Sequence, residues 1–427
     1  MHTDSRPSFE LNITGLGAAG EGVGRLGDGR VAFVAGALPG DRVQARLLQQ
    51  NKKHLTAELT AVVVASPERV VSLCGITACH ACALKELSQA GQTRQKRDHV
   101  LANLERIGHV EPREDPGDLI CSGDGWHYRH RVRLHAAWNG SRFELGYFSP
   151  RSHALVPVSA CPVLWPELEA LAISLAEAVS VLPRAAGITE AQLAFSRLVG
   201  RGVVRLSARG PLSALDALTR VQHAFGLEIV SGRERARFGN LDLCYDHAHA
   251  DAFDLHFEPG VFTQACPAVN DTLVAAVVEA LAGAVRVVEL HSGIGNFTLP
   301  LVRAGHTVVA AEYDSRAVAF SLRNLREADL AAQVLNCSDE HVDEYFADCD
   351  AVLLDPPRTG ARAAASRLAR SGPGRVVYVS CDSATLARDA AILVSGGYTL
   401  ESVELFDMFA HTAHVEVVAR FAHLDSP

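Results

Sequence analysis

The chain has 427 residues, of which 48% are hydrophobic and 21% charged, and a formal net charge of −9. That length exceeds one ordinary core and predicts two or three domains; no apolar run nears the roughly 18 residues of a membrane span, and MHTDSRPSFE lacks the apolar stretch of a secretory signal, so a cytoplasmic protein without a membrane segment is expected. The acidic balance excludes a nucleic-acid role built on overall charge and leaves it to local patches, while ten cysteines in a reducing compartment point to metal binding or catalysis rather than disulfides.

The first stretch alternates short β-rich runs with glycine turns: FELNITGLG, GEGVGRLGDGRVAFVAGALPGDRVQARLLQQ and KKHLTAELTAVVVA. Strands so closely spaced predict a small β-barrel over residues 1–66. Its GEGVGRLGDGRVAFVAGALPGDRV resembles a TRAM domain, an RNA-associated barrel. Lys52 and Lys53 are its only paired cations, so RNA contact and a plain scaffold stand as equal readings.

Residues 67–255 form a central domain that opens with Cys74, Cys79 and Cys82, a C-x4-C-x2-C cluster, with Cys161-Pro162 far downstream. Thiols this close favour a metal over packing; zinc and a [4Fe-4S] cluster both accept four cysteines, and spacing alone does not separate them. A helical stretch, LKELSQAGQTRQKRDHVLANLERIG, precedes the strands WHYRHRVRLHAAW and RFELGYFS. Arg129, Arg131 and Arg133 sit at period two and share one strand face, which is either solvated, the commoner case, or a phosphate-contacting stripe; Arg94, Lys96, Arg97 and Arg106 nearby add weight to the second. The stretch 164–250 carries no motif.

From 256 to 427 the pattern becomes strand, turn, helix. VRVVEL, HTVVAAE, DAVLLDPP and GRVVYVSC are continuous apolar runs ending in polar residues, which predicts a doubly wound parallel α/β sheet, Rossmann-like, with ligands at the carboxyl ends of its strands. In ELHSGIGNFTLPL, Gly293 and Gly295 allow close backbone approach to a ligand, but Thr298 stands where a dinucleotide site needs a third glycine. Glu312 closes the second strand, placed for ribose hydroxyls; with Asp355-Pro356-Pro357-Arg358 ending a third strand, the set fits an S-adenosylmethionine site. Asp339 either reaches the adenine or caps a helix.

Together GVFTQ, ELHSGIGNFTLPL, LLDPPRTG, YVSCDSATLARD and DMFAHTAHVEVVARF resemble, in order, the RNA (uracil-5-)-methyltransferases, in particular the iron–sulfur branch acting on 23S rRNA. The resemblance implies a class I S-adenosylmethionine-dependent enzyme with Cys381 as nucleophile and Glu416 as general base. It also implies Gln264 touching cofactor and base, Phe262 and Asp355 at the base, and Glu289 in the cofactor motif. A [4Fe-4S] cluster on Cys74, Cys79, Cys82 and Cys161 follows, zinc being the lesser option. The partner implied is 23S rRNA, with tRNA as the alternative, and a monomer is expected.

The chemistry agrees. Pyrimidine C5 is a poor nucleophile until a thiolate adds at C6, and a base must then remove the C5 proton before the thiol leaves. A strand end next to helix N-termini predicts a lowered pKa for Cys381, and an apolar strand predicts a raised one for Glu416; His411 and His414 are weaker candidates for positioning RNA or Glu416. The chain departs from the family at Cys266-Pro267, at Asp382-Ser383 after the nucleophile, and at Glu289 and Ser292 in the cofactor motif. The first two keep 5-methylcytidine formation open as an alternative, because uracil and cytosine present opposite donors at N3 and C4.

Overall fold

The computed structural model describes residues 6–52, 54–149, 154–158, 160–221, 226–247 and 253–424; Lys53 lies outside them. The chain forms two compact units, one of Met1–His99, Ser149–Ala154 and Phe409–His414, the other of Val100–Phe148, Leu155–Met408 and Val415–Pro427. Among the described residues no helix is long and apolar enough to cross a membrane.

The first unit contains a six-stranded sheet. Its strands alternate in burial, as Val31–Ala35 does, and send Leu11, Ala32, Val34, Val43 and Leu55 into one core. The sheet curls back on itself, which brings its first strand, Ser8–Asn12, against Gly22–Arg25 near the opposite edge. Gly24 allows this approach, since a Cβ there would lie 2.3 Å from the Asn12 carbonyl oxygen.

The second unit holds two seven-stranded sheets. In the first, the strand Arg131–Trp138 lies antiparallel to Ile188–Ser196, with Arg131 opposite Ala194 and Arg133 opposite Gln192. Arg131 and Arg133 share a face as expected, whereas Arg129 precedes the strand and its Nε donates to the Arg131 carbonyl at 2.9 Å.

The second sheet is the one the apolar runs predict. Its strands are β1 (Arg286–Leu290), β2 (Thr307–Glu312), β3 (Gln333–Asn336), β4 (Ala351–Leu354), β5 (Arg375–Ser380), β6 (Tyr398–Phe406) and β7 (Glu416–His423). They lie in the order β3-β2-β1-β4-β5-β7-β6. Strands β1 to β5 are parallel, and β7 runs antiparallel between β5 and β6. All four residues of β4 are buried, as a strand covered on both faces requires. Winding reverses between β1 and β4, so a crevice opens at their carboxyl ends.

Candidate active site

Cys381 and Glu416 are brought together by strand register. The last Cα pair between β5 and β7 is Ser380 with Val417, so one further step along this antiparallel ladder sets Cys381 against Glu416. Pairs at that spacing have Cα atoms about 5 Å apart. Cys381 sits in the single turn between β5 and the helix Ser383–Ser395. Asp382 caps that helix, its Oδ1 accepting from Thr385 N–H at 2.9 Å, and Ser383 Oγ accepts from Asn103 Nδ2 at 2.8 Å. Both residues after Cys381 are thus engaged in holding the helix. Cys266 is buried, with its N–H on Met408 Sδ at 3.3 Å.

The cofactor edge is built from the loop after β1. Gly293 and Gly295 have φ of 57° and 94°, and Gly293 N–H donates to Glu312 Oε2 at 3.0 Å while Asp314 N–H donates to Oε1 at 2.7 Å. A carboxylate so oriented keeps lone pairs for further donors. Glu289 lies beneath this loop with no exposed surface, its Oε2 accepting from Thr298 Oγ1 at 2.6 Å; the residue replacing the third glycine is therefore a partner of the buried acid. Asp339 and its backbone carbonyl both accept from Arg367 Nη2, at 3.1 and 2.7 Å. Gln264, Phe262, Gly293 and Asp355 line one narrow cleft.

Two side chains of this edge escaped sequence reasoning. Asn270 and Asn296 exchange amide hydrogen bonds of 2.9 and 3.0 Å, which ties the helix Pro267–Ala280 to the cofactor loop. The available signal was the polar run Asn270-Asp271-Thr272 within a largely apolar helix. Arg358, from DPPRTG, is the cation that bears on both Cys381 and Glu416.

The electrostatics correct one expectation. Cys381 is not lowered: burial, then the Glu416 carboxyl and, more weakly, Asp355, push its thiol up to about 12 against the pull of Arg358. The adjacent helix end is already occupied by Asp382. Glu416 is 3% exposed, and burial with Asp355 nearby holds its pKa well above the ordinary carboxylate range, as predicted. Burial likewise raises Asp355 to about 7 and Glu289 to about 8.

In the first unit Cys74, Cys79 and Cys82 are half-buried. Lys85 Nζ lies 3.7 Å from Cys74 Sγ and donates to the Ile76 carbonyl at 2.6 Å. Soft donors beside a buried cation suit a thiolate-bound group in donor type, but among the described residues no three His, Cys, Asp or Glu side chains are gathered as a metal-binding group. Cys161, in the second unit, has its N–H on the Glu169 carboxylate. His411 belongs to the first unit, where its Nδ1 lies 3.1 Å from Gln92 Nε2 and its N–H donates to Gln92 Oε1 at 3.0 Å.

The sheet order, the glycine loop after β1 and the acid closing β2 define the class I methyltransferase fold. The family model for tRNA (uracil-5-)-methyltransferase matches residues 248–421, and that for the TRAM domain matches residues 8–60. The 23S rRNA (uracil(1939)-C(5))-methyltransferase RlmD of Halomonas elongata is 37% identical over 98% of this chain and 90% of its own length. Its namesake from Shewanella sp. (strain ANA-3) is 33% identical over 92% and 91%. The chain belongs to this family of RNA uracil-C5 methyltransferases. In fold it is similar to the Pyrococcus abyssi tRNA (uracil-54, C5)-methyltransferase in complex with S-adenosyl-L-homocysteine, with a TM-score of 0.75, 24% identity and coverage of 97% and 100%.

Proposed function

We propose that the chain methylates C5 of a uridine in 23S rRNA through a covalent bond between Cys381 Sγ and C6 of the base. The observation that carries this reading is the register that sets Cys381 against Glu416 at the carboxyl edge of the sheet, beside Asp355. S-adenosyl-L-methionine, when bound, supplies an electrophilic methyl carbon on a sulfonium cation. Cys381 gives up its thiol proton to solvent and its thiolate adds to C6, while the C5–C6 π electrons move towards the C4 carbonyl, which makes C5 nucleophilic. Once C5 carries the methyl group, the Glu416 carboxylate takes the C5 proton, the C5–H electron pair re-forms the C5=C6 double bond, and Cys381 leaves as thiolate.

Supporting roles follow from position. Glu312 is assigned to the ribose, Gly293 and Gly295 to close backbone approach, Asp339 to the adenine side, and Gln264 and Asp355 to cofactor and base. Glu289, buried under the loop, acts by holding Thr298. Phe262 is 59% exposed, with the Arg131 guanidinium 4.6 Å above its ring. It opens onto a cleft of about 300 Å³ lined by Arg129, Arg131 and Arg133, a basic approach suited to RNA phosphates.

The same proposal assigns residues 1–66 and 67–255 to RNA engagement and 256–427 to methyl transfer, in a monomeric cytoplasmic enzyme. It includes a [4Fe-4S] cluster on Cys74, Cys79, Cys82 and Cys161 with no part in the chemistry. Iron and acid-labile sulfide analysis of anaerobically purified protein tests the cluster; stoichiometric zinc instead would overturn it. Mass spectrometry of rRNA and tRNA from cells with and without the gene tests the reaction. Loss of 5-methyluridine from 23S rRNA is expected; loss of 5-methylcytidine, or of 5-methyluridine from tRNA alone, would overturn the substrate.

A further inference from the structure

The geometry points to His130 and Tyr245 as positioning residues that clamp the peptide carrying Gln264, so that its side-chain amide is pre-aimed at cofactor and base. The inference rests on the assignment of Gln264 made above. Three bonds converge on two successive carbonyls. Tyr245 Oη donates to the Gln264 carbonyl at 3.2 Å, and His130 Nε2 lies 2.8 Å from the same oxygen. His130 N–H donates to the Ala265 carbonyl at 3.3 Å. A carbonyl only accepts, so the His130 ring carries its proton on Nε2.

The two donors come from different parts of the fold. His130 immediately precedes the strand Arg131–Trp138, and Tyr245 immediately follows Leu243–Cys244. Both are buried, and their rings meet edge to face at 5.0 Å, so neither donor is free to swing away. Buried deeply and facing Arg131, the His130 imidazole has its pKa depressed to about 3 and stays neutral throughout the working pH range. Its Nδ1 has no partner among the described residues; the ring is oriented by the bond to Gln264 rather than by a bond on each nitrogen.

Gln264 shows the complementary pattern. Its residue is 4% exposed and its carbonyl takes both donors, while its side-chain amide has no hydrogen bond to protein among the described residues and faces the cleft that contains Gly293 and Asp355. A fixed backbone with an unspent side chain is the arrangement that pre-organises a contact at low entropic cost.

The test is a double-mutant cycle between Tyr245→Phe and Gln264→Ala, read by calorimetric S-adenosyl-L-homocysteine affinity and by single-turnover methyl transfer. Tyr245→Phe keeps the ring and should weaken one of the two readouts about fivefold to tenfold, the scale of one hydrogen bond. In the Gln264→Ala background it should add less than twofold, because the side chain it aims is gone. A fully multiplicative pair, or Tyr245→Phe within twofold of the unsubstituted protein in both readouts, would overturn the clamp. His130→Gln, which retains an amide donor, should stay closer to the unsubstituted protein than His130→Leu; equal losses in both would count against it. Failure of the unsubstituted protein to methylate RNA would sink the proposed reaction while leaving the affinity cycle readable.

Discussion

At the residue scale, the pairing of a masked thiol with a buried acid has a direct chemical reading. With Cys381 pushed up to about 12 and the Glu416 carboxyl held above its ordinary range by burial, the site offers no reactive thiolate on its own. Glu416→Gln keeps the shape but cannot take the C5 proton, so the Cys381–C6 bond should persist after methyl transfer. A denaturing gel should then show RNA-linked protein for Glu416→Gln and none for Cys381→Ala; a Glu416→Gln variant that loses turnover without any adduct would remove Glu416 from the elimination step. Cys381 and Glu416 were singled out in the sequence by the resemblance to the family, since a cysteine after an apolar strand or a glutamate within one is ordinary by itself. The sign of the Cys381 shift was not legible there, since it depends on two carboxyl groups delivered by other strands and on Asp382 filling the helix end.

At the scale of single elements, the loop after β1 and the helix after β5 do most of the positioning. Gly295→Ala would force a side chain into φ 94° with its Cβ 2.5 Å from Leu299 Cδ1. A cost of about 1–3 kcal/mol is expected, seen as a lower Tm and weaker S-adenosyl-L-homocysteine binding. Asp382→Ala removes the cap on Thr385 and should cost about 1 kcal/mol in stability, with preference for uracil over cytosine unchanged; a switch of base would mean that Asp382 reads the substrate after all.

Strand β1 and the end of β4 also give a pH signature. Asp355 moves from 3.8 to about 7 and Glu289 from 4.5 to about 8 on burial. The folded state therefore binds more protons than the unfolded one between about pH 4 and pH 8. Their contribution is fully present below about pH 4 and is lost as pH rises through 7 to 8. Without cofactor, Tm should carry a falling component across that window, and Glu289→Gln should flatten part of it. The glycine loop was readable from GxG followed by Glu312. Thr298 was readable only as a missing glycine, because its role depends on the buried acid beneath it.

At the scale of the whole molecule, an enzyme with a net charge of −9 must approach a polyanion. Long-range repulsion then has to be offset locally, and the cleft lined by Arg129, Arg131 and Arg133 brings three guanidinium groups together beside Phe262. Arg133, paired with Glu190 at 3.3 Å yet 63% exposed on its side chain, is free enough to meet a phosphate. Arg133→Ala should lower RNA affinity and reduce the slope of log Kd against log salt by about 1, measured by filter binding; an unchanged slope would place the RNA elsewhere. The period-two arginines were visible in the sequence. The sheet that carries them was not, because Ile188–Ser196 pairs with a strand some 55 residues earlier and no local signal specifies such a partner. For the same reason the His130 bond to Gln264, 134 residues apart, lay beyond sequence reading.

The β5–β7 ladder has one more consequence, for how this protein tolerates change. Glu416 opens a strand locked on both sides, by β5 and by β6, and neighbouring residues of a strand face opposite ways. Losing one residue inside β7 would therefore trade the acid for a valine at the same spot, since Val415 and Val417 flank it. Across β7 the register irregularity of β6 falls between Leu400 and Ser402, well away from the catalytic end. Length changes can accumulate there, whereas the segment from Ser402 to the catalytic end should accept substitutions but reject insertions and deletions, and a scan of single-residue deletions along β6 and β7 would draw that boundary.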